Sequence, residues 1–294
     1  MPSTRDIRRR IRSVKNTAQI TKAMQMVASS KMRKAQLAAL AGRPYAILMN
    51  QVILNAAKDA GQNFTQPLME TRPIRKRAVL AVSTDKGLCG ALNANLGREA
   101  LKYEKETTVY VAAGRKAAQL FARTKRNLNA EFTYKDAPLF AEARAMSKTV
   151  QEMFLKGEVD SVDVVFTRFV NTLTQKVEVR QLLPIGKLEN ILNLPGGPDE
   201  NAQTGDAQQL EHLFEPSAEQ VLGAILPHFV NFIVYQILLE AKASEHSARM
   251  VAMKNATDNA KQLIKDLTLE YNKLRQANIT KELLEITTAQ MALG

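Results

Sequence analysis

Cysteine and histidine are scarce in this sequence. Its 294 residues include one cysteine, Cys89, and three histidines, His212, His228 and His246. A single thiol excludes an intrachain disulfide and is typical of a protein from a reducing compartment. No histidine stands at metal-ligand spacing from another histidine, the cysteine or a carboxylate pair. We therefore expect no metal centre, and we expect these residues to serve packing or lie at the surface.

Phosphate-binding signatures are also missing. The sequence contains no GxxxxGK[ST] motif. The stretch STDKGLCGALNANLG (83–97) stands where a phosphate loop would follow a strand, but it lacks GxGxxG spacing and carries Asp85, which would repel a phosphate. The stretch AAGRKAAQ (112–119) lacks that spacing too. Both patterns predict tight turns, and no catalytic group or cofactor site is indicated.

Long uninterrupted hydrophobic runs are absent as well. The most apolar stretch, residues 221–239, is broken by Pro227, His228, Asn231 and Gln236. These residues favour a helix packed inside protein over one that spans a membrane. The first residues lack the continuous apolar segment of a signal peptide, so we expect none.

Positive charge is abundant and concentrated at the start of the chain. The net charge is +12, and residues 1–43 hold eleven basic residues against Asp6 alone. Such a basic segment predicts an acidic partner, which could be nucleic acid, anionic lipid or an acidic protein surface.

Both ends of the chain have heptad spacing. Ile7, Ile11, Val14, Ala18 and Thr21 follow one another by steps of four and three residues. The same spacing near the C-terminus involves His246, Met250, Met253, Thr257, Ala260, Ile264, Leu267, Tyr271, Leu274 and Asn278. We expect the two helices to pair as an antiparallel coiled coil. Many seam residues are small or polar, so the pair should be only modestly stable by itself.

Strand and helix patterns alternate in the middle of the chain. Strands are predicted at 78–83 and 107–113 and near residues 162 and 176, with helices at 91–105, 115–123 and 139–156. The alternation predicts a mainly parallel sheet. The fold class is therefore mixed α/β: an N-terminal helical segment (1–60, with a break near Gly42 and Pro44), a Rossmann-like α/β domain (74–210) and a C-terminal helix (211–294).

Residue patterns alone leave three function classes open. A mechanical or scaffolding protein accounts for the paired helices. A basic coiled-coil nucleic-acid-binding protein would account for the arginine cluster, although its basic region should fork from a dimer. An α/β nucleotide-binding enzyme would account for the middle domain, but it requires a phosphate loop.

Three segments resemble the gamma subunit family of F-type ATP synthases: residues 11–36, 83–93 and 243–286, with the resemblance extending over essentially the whole chain. The resemblance implies a non-catalytic central rotor shaft that couples rotation of the membrane c ring to the catalytic beta subunits. It implies as partners three alpha and three beta subunits, the epsilon subunit and the c ring. It implies no nucleic acid, no cofactor, and membrane contact only through the c ring.

The resemblance also implies positions of partner contact. Those expected to face the alpha and beta subunits are Lys22, Met24, Lys31, Arg33, Lys34, Arg249, Gln276 and Thr280. Those expected near the c ring and epsilon subunit are Arg43, Tyr45, Phe214 and Glu215.

Two departures from the family pattern stand out. Ala289 and Gln290 replace the usual Gly-Ala near the C-terminus, which affects packing at the tip. Cys89 alone excludes the cysteine pair by which chloroplast members are regulated. The resemblance begins by residue 3, so we expect no presequence and a bacterial protein on the cytoplasmic side of the inner (plasma) membrane.

Overall fold

The computed structural model describes residues 3–60, 66–185 and 214–293. The chain forms two compact units. One comprises Met1–Ala28 and Arg249–Gly294, and the other comprises Ser29–Ala248. We call them the terminal unit and the α/β unit.

Three long helices account for both ends of the chain: α1 (Thr4–Ala41), α2 (Arg43–Ala60) and α6 (Ala218–Leu293). Ser3 caps α1, because its hydroxyl accepts from the Asp6 backbone N–H at 3.2 Å and donates to the Asp6 carboxylate at 2.8 Å. Gly42 separates α1 from α2, and Pro44 occupies an early position of α2 where its missing N–H costs nothing. The predicted break in the N-terminal helix is confirmed.

Pro227 lies inside α6, and the helix continues past it. A proline has no N–H, so the carbonyl of Gly223, four residues earlier, loses its partner within the helix. The Gln66 side-chain amide donates to that carbonyl at 3.0 Å. A neighbouring segment thus replaces the lost helical hydrogen bond.

The α/β unit contains a five-stranded sheet in the order β3-β2-β1-β4-β5. The strands are β1 (Arg77–Val82), β2 (Thr108–Ala113), β3 (Asn127–Phe132), β4 (Ser161–Phe169) and β5 (Gln175–Leu183). The first four are parallel, and β5 returns antiparallel to β4 through a hairpin. The connecting helices are α3 (Leu92–Ala100), α4 (Arg115–Arg123) and α5 (Phe140–Leu155). The predicted mainly parallel, Rossmann-like sheet is confirmed.

Both faces of this sheet are covered by helices. One face buries a cluster that draws on α2, α5 and the first half of α6, including Ile53, Phe154 and Leu226. The other face buries a smaller cluster with α3 and α4, including Leu96 and Phe121. The central strands β1, β2 and β4 therefore read as continuous buried runs, as expected of parallel strands covered on both sides.

In the terminal unit, α1 pairs with the C-terminal half of α6. The hydroxyls of Thr21 and Thr257 are 2.7 Å apart. Nearer the start of α1, Ile7 and Leu267 line one shared cleft, so α1 and α6 run antiparallel. The predicted seam is confirmed on α6, where the following positions are buried or half-buried: Met253, Thr257, Ala260, Ile264, Leu267, Tyr271 and Leu274. The last predicted seam residue, Asn278, is exposed.

Converting both seam threonines to valine tests how this pair is held together. The Thr257 hydroxyl also lies 2.8 Å from the Met253 carbonyl, and that of Thr21 lies 3.1 Å from the Ala18 carbonyl, so two hydroxyl protons serve three polar contacts. We expect Thr21→Val alone to lower the unfolding free energy by about 0.5–1 kcal/mol, because Thr257 loses one partner. The double variant Thr21→Val/Thr257→Val should equal or exceed the wild type, since both polar groups leave the seam together. Urea unfolding of the wild type, of the single variants Thr21→Val and Thr257→Val, and of the double variant gives the coupling energy between the two threonines. Additive losses in the double variant would contradict this account of the seam.

Two helical stretches, Thr4–Ala60 and Ala218–Met291, are long and apolar enough by length and composition to cross a membrane. More than half of the most apolar window in the second stretch is buried within the protein. That window supplies Leu222, Leu226, Phe229 and Val230 to the core of the α/β unit. This part of α6 is therefore a core helix, as its interrupted sequence predicts.

Candidate functional site: the filled sheet crevice and the basic helix

The carboxyl ends of β1 and β4 mark the point where a ligand would bind in a sheet of this order. The chain leaves β1 toward β2 on one side, whereas it leaves the adjacent strand β4 toward β5 on the other side. In open α/β sheets this divergence creates a crevice that receives nucleotides. Here the crevice is lined by residues that follow β1, including Ser83 and Asp85, and by the end of β4 at Thr167.

The backbone donors at the start of α4, beside this crevice, already have partners. The N–H of Arg115 donates to the Asp85 carboxylate at 3.0 Å, that of Lys116 to the Thr84 carbonyl at 3.0 Å, and that of Ala117 to the Ser83 hydroxyl at 2.8 Å. A helix N-terminus binds phosphate through free N–H groups of this kind. The turn after β1 therefore serves as an intramolecular cap for α4, in agreement with the tight turn that its sequence predicts.

Helix α6 fills the crevice itself. The Ser244 hydroxyl donates to the Thr167 carbonyl near the end of β4 at 2.8 Å. Ala248 packs with Cys89 of the β1–α3 connection and with Leu92, the first residue of α3. The space that a dinucleotide-binding protein keeps open for its ligand holds a helix of the same chain.

A cluster of charged groups lies beside this part of α6. The Lys242 ammonium, only 2% exposed, is 3.0 Å from the Glu245 carboxylate and 3.8 Å from that of Asp136. Lys31 of α1 donates to Asp136 from the other side. Lys242 also stands 4.4 Å from the ring centre of Tyr134, whose hydroxyl donates to the Ser83 carbonyl at 2.9 Å. Burial raises the pKa of Tyr134, so its hydroxyl keeps the proton that it donates.

The carboxylate of Asp136 makes this cluster sensitive to acid. The hydrogen bond from Lys31, with smaller contributions from the charges of Lys242 and Lys31, holds the pKa of Asp136 below its usual value of 3.8 despite opposing desolvation. Because the folded-state pKa is the lower one, its stabilisation is present above the usual carboxyl pKa and is lost as pH falls through the lowered value. We expect wild-type stability to fall more steeply than that of Asp136→Asn below about pH 4. Urea midpoints across that range check this, with Glu131→Gln, an exposed acid on β3, as the control. Parallel curves for wild type and Asp136→Asn would contradict it.

Basic side chains cover the outward face of α1 in the terminal unit. Arg5, Arg12, Lys15 and the run Arg8–Arg10 are exposed, with Arg9 3.7 Å from Asp6. Apolar Ile20, Met26 and Val27 are also more than half exposed. The first helix thus presents both charge and apolar surface for contact with other chains.

The residues expected to contact the alpha and beta subunits fall into two groups by exposure. Lys22, Arg33, Lys34, Gln276 and Thr280 are exposed, and Met24, Lys31 and Arg249 are half-buried. Among these residues, Lys31 donates a hydrogen bond to Asp136 of the charged cluster described above. These contacts remain predictions.

The residues expected near the c ring lie in the α/β unit. The Tyr45 hydroxyl is 3.0 Å from His228 Nε2, and its ring is 4.9 Å from that of Phe232. Phe214 packs against the core and Glu215 is exposed. Arg43 is the first residue of α2. Their partner contacts also remain predictions.

Within residues 3–60, 66–185 and 214–293, no three His, Cys, Asp or Glu side chains are grouped to hold a metal ion. Cys89 is buried, and the Asn93 amide lies 3.2 Å from its sulfur. His228 contacts Tyr45 as described above, His246 Nε2 lies 4.0 Å from the Asp136 carboxylate, and His212 lies outside the described residues.

Sequence reasoning did not find the residues that hold α6 in the crevice. Lys242, Ser244, Ser247, Tyr134 and Asp136 come from two segments about one hundred positions apart. The available signal was ASEHS (243–247), where small polar residues interrupt a long apolar helix. Small polar side chains inside an apolar helix allow close packing and form hydrogen bonds to neighbouring elements. They therefore indicate a buried contact and not an exposed turn of helix.

The paired terminal helices and the filled crevice of the α/β unit are typical of a protein that acts through contact with other chains. A family model described as ATP synthase matches residues 3–293. The chain is 50% identical to the ATP synthase gamma chain of Opitutus terrae over 293 residues, which cover 99% of each chain. It is 48% identical to that of Methylacidiphilum infernorum over an alignment of 300 positions that covers the whole of both chains.

Solved structures share the fold at lower identity. A chain of the Euglena gracilis mitochondrial ATP synthase in rotational state 3 has a TM-score of 0.64 and 22% identity, covering 99% of this chain and 94% of that one. A chain of the Tetrahymena thermophila mitochondrial ATP synthase central stalk and c ring has a TM-score of 0.61 and 24% identity, covering 81% and 99%. The chain belongs to the family of ATP synthase gamma chains.

Proposed function

We propose that this chain is the central rotor shaft of a proton-translocating ATP synthase and has no catalytic activity of its own. The observation that carries the proposal is the filled crevice in a member of the gamma chain family: the fold that could bind a nucleotide holds helix α6 there instead. The chain then acts on nucleotide sites of its neighbours, by coupling between distant sites through rigid-body rotation.

In this role, three alpha and three beta subunits would surround the paired helices. The epsilon subunit and the c ring would bind the α/β unit. The exposed residues Lys22, Arg33, Lys34, Gln276 and Thr280, with Met24, Lys31 and Arg249, are proposed to meet the alpha and beta subunits. Arg43, Tyr45, Phe214 and Glu215 are proposed to lie at the foot. The chain would sit on the cytoplasmic side of a bacterial inner membrane, held there through the c ring.

The three parts read from the sequence then have separate tasks. Of the predicted parts 1–60, 74–210 and 211–294, the terminal unit would supply the shaft, and the α/β unit, which also takes in α2 and the first half of α6, would be the domain that the c ring turns. A seam of small residues suits a slender axle, and diffuse charge suits a partner that must slide past. Deep, localised ion pairs would instead hold the rotor at one angle.

Neutralising the exposed basic residues tests the contact with the alpha and beta subunits. We expect Lys22→Gln/Arg33→Gln/Lys34→Gln to weaken assembly with these subunits by about tenfold at low salt, since each exposed charge contributes at most about 1 kcal/mol. The loss should shrink as salt is added. Binding of the labelled chain at a series of salt concentrations measures both effects.

The matched control removes three exposed basic residues that lie outside α1 and α6, Arg98→Gln/Lys105→Gln/Arg123→Gln, with the same change in net charge. It should assemble as the wild type does. Equal weakening by both triple variants would mean that only net charge matters and would contradict the proposed contact.

A further inference from the structure

One short band of α6 is buried on every side. Residues Ala241 to Ala248 are eight consecutive buried positions. An α-helix turns once in about 3.6 residues, so eight side chains point in all directions around its axis. A helix on the surface of a domain would leave its polar face exposed. The chain therefore encloses α6 at this level, and we call Ala241–Ala248 with its surrounding contacts the collar.

The β4–β5 hairpin forms the first side of the collar through directional hydrogen bonds. Ser244 donates to the Thr167 carbonyl at 2.8 Å, and Ser247 donates to the Thr172 carbonyl at 2.7 Å. The Gln175 amide donates to the Ser247 hydroxyl at 3.3 Å. Serine within a helix commonly bonds back to a carbonyl of its own helix. Both serines here bond to another element instead, so they fix the angle of α6 about its own axis.

Two further sides complete the collar. The segment after β3 contributes the Tyr134 ring and the Asp136 carboxylate, both beside the Lys242 ammonium. The β1–α3 connection contributes Cys89, which packs on Ala248 together with Leu92 at the start of α3. Loops at the carboxyl ends of three different strands thus hold the same two turns of helix.

We propose that the collar is the torque-bearing joint of this chain, where turning force passes from the α/β unit into helix α6. Ser244 and Ser247 act in it as positioning residues that resist twist. The inference rests on the rotor function proposed above and assigns it to particular residues. Helix α6 is continuous from Ala218 to Leu293, so a force applied at the collar is carried along one unbroken helix.

Hydrogen bonds suit this task better than apolar contact does. A twist of about 20° moves a hydroxyl that lies roughly 4 Å from the helix axis by about 1.4 Å, which is enough to break its hydrogen bond. The hydrophobic effect itself has no preferred direction, so the small alanines of the collar hold the helix angle less firmly than its hydrogen bonds do. The loss of one buried neutral hydrogen bond shifts an equilibrium about fivefold, so losing two shifts it roughly 25-fold if they act independently.

The test compares three versions of the chain in the complete ATP synthase, reconstituted into lipid vesicles: wild type, Ser244→Ala/Ser247→Ala, and Ser161→Ala. Ser161 is the matched control, since it is also fully buried and its hydroxyl has no hydrogen-bond partner within the described residues. Two quantities are measured: protons pumped per ATP hydrolysed, and ATP hydrolysis by the soluble alpha, beta and gamma assembly, which turns without load.

We expect the double variant to hydrolyse ATP within about twofold of wild type in the soluble assembly, and its pumping per ATP to fall at least about twofold under load. Ser161→Ala should match the wild type in both. Unchanged pumping in the double variant would overturn the collar, as would a proportional fall of pumping and soluble hydrolysis, because that pattern indicates lost fold alone. A wild-type complex that neither assembles nor pumps would instead contradict the rotor function itself and the collar with it.

Discussion

Replacing Gly114 with alanine should lower the unfolding free energy by about 3 kcal/mol or more. Gly114 precedes α4 with φ of +104°, a region that residues with a Cβ rarely adopt. An added Cβ would lie 2.4 Å from the backbone oxygen of Ser83. Neither backbone can move freely, because Gly114 N–H donates to the Phe132 carbonyl at 2.7 Å and Ser83 N–H donates to that of Ala113, also at 2.7 Å.

Urea unfolding of Gly114→Ala measures the loss, and Gly87→Ala provides the control. A Cβ at Gly87 would meet no atom within 4 Å. The control should therefore unfold close to the wild type. If both variants unfold at the same denaturant concentration, the close approach of Gly114 and Ser83 does not constrain the fold.

The second large effect should come from Lys242→Met. Lys242 and Glu245 are 2% and 3% exposed and form an ion pair at 3.0 Å. Removing one partner leaves the other charge buried without the ammonium that faces it, which costs about 3 kcal/mol or more. Lys242→Met/Glu245→Gln should recover most of this loss, because both charges then leave the interior together.

The exposed pair Lys102 and Glu99 supplies the comparison for that prediction. Its two residues are also three positions apart and its N–O distance is 2.7 Å, but the lysine side chain is 65% exposed. Lys102→Met should leave the unfolding free energy nearly unchanged, since solvent screens such pairs. Thermal unfolding of the three variants measures these differences. If Lys242→Met lowers the unfolding free energy as little as Lys102→Met does, burial does not strengthen the Lys242–Glu245 ion pair.

Much of the architecture follows from periodic patterns that local sequence carries. The seam of α6 was predicted position by position from Met253 to Leu274, because each step of three or four residues returns the side chain to one face. Helix α4 has the predicted limits, Arg115–Arg123. These elements are bounded by glycine or turn residues, so their ends are marked in the sequence.

Strand β3 was missed because its sequence is atypical. Residues Asn127–Phe132 read NLNAEF and alternate between exposed and half-buried, as an edge strand does. Asparagine is uncommon in strands, and only pairing with β2 makes this segment extended. Tertiary contact overrode the local preference.

The collar could not be predicted from the sequence for a different reason. Its contacts join positions far apart in the chain, such as Lys31 with Asp136 and Ser244 with Thr167. The sequence predicted a tight turn after β1, and the structure has a turn there that caps α4. The sequence could not indicate that a helix of the same chain fills the crevice, because that depends on where α6 passes over the sheet.

The measurement that tests the rotor function most directly mixes the purified chain with alpha and beta subunits and compares each mixture with one that lacks the chain. The account predicts a complex of three alpha subunits, three beta subunits and one copy of this chain, with sustained ATP hydrolysis only when the chain is present. A mixture that forms no such complex, together with tight and salt-dependent binding of DNA by the chain alone, would contradict it and would make the basic first helix a nucleic-acid-binding element.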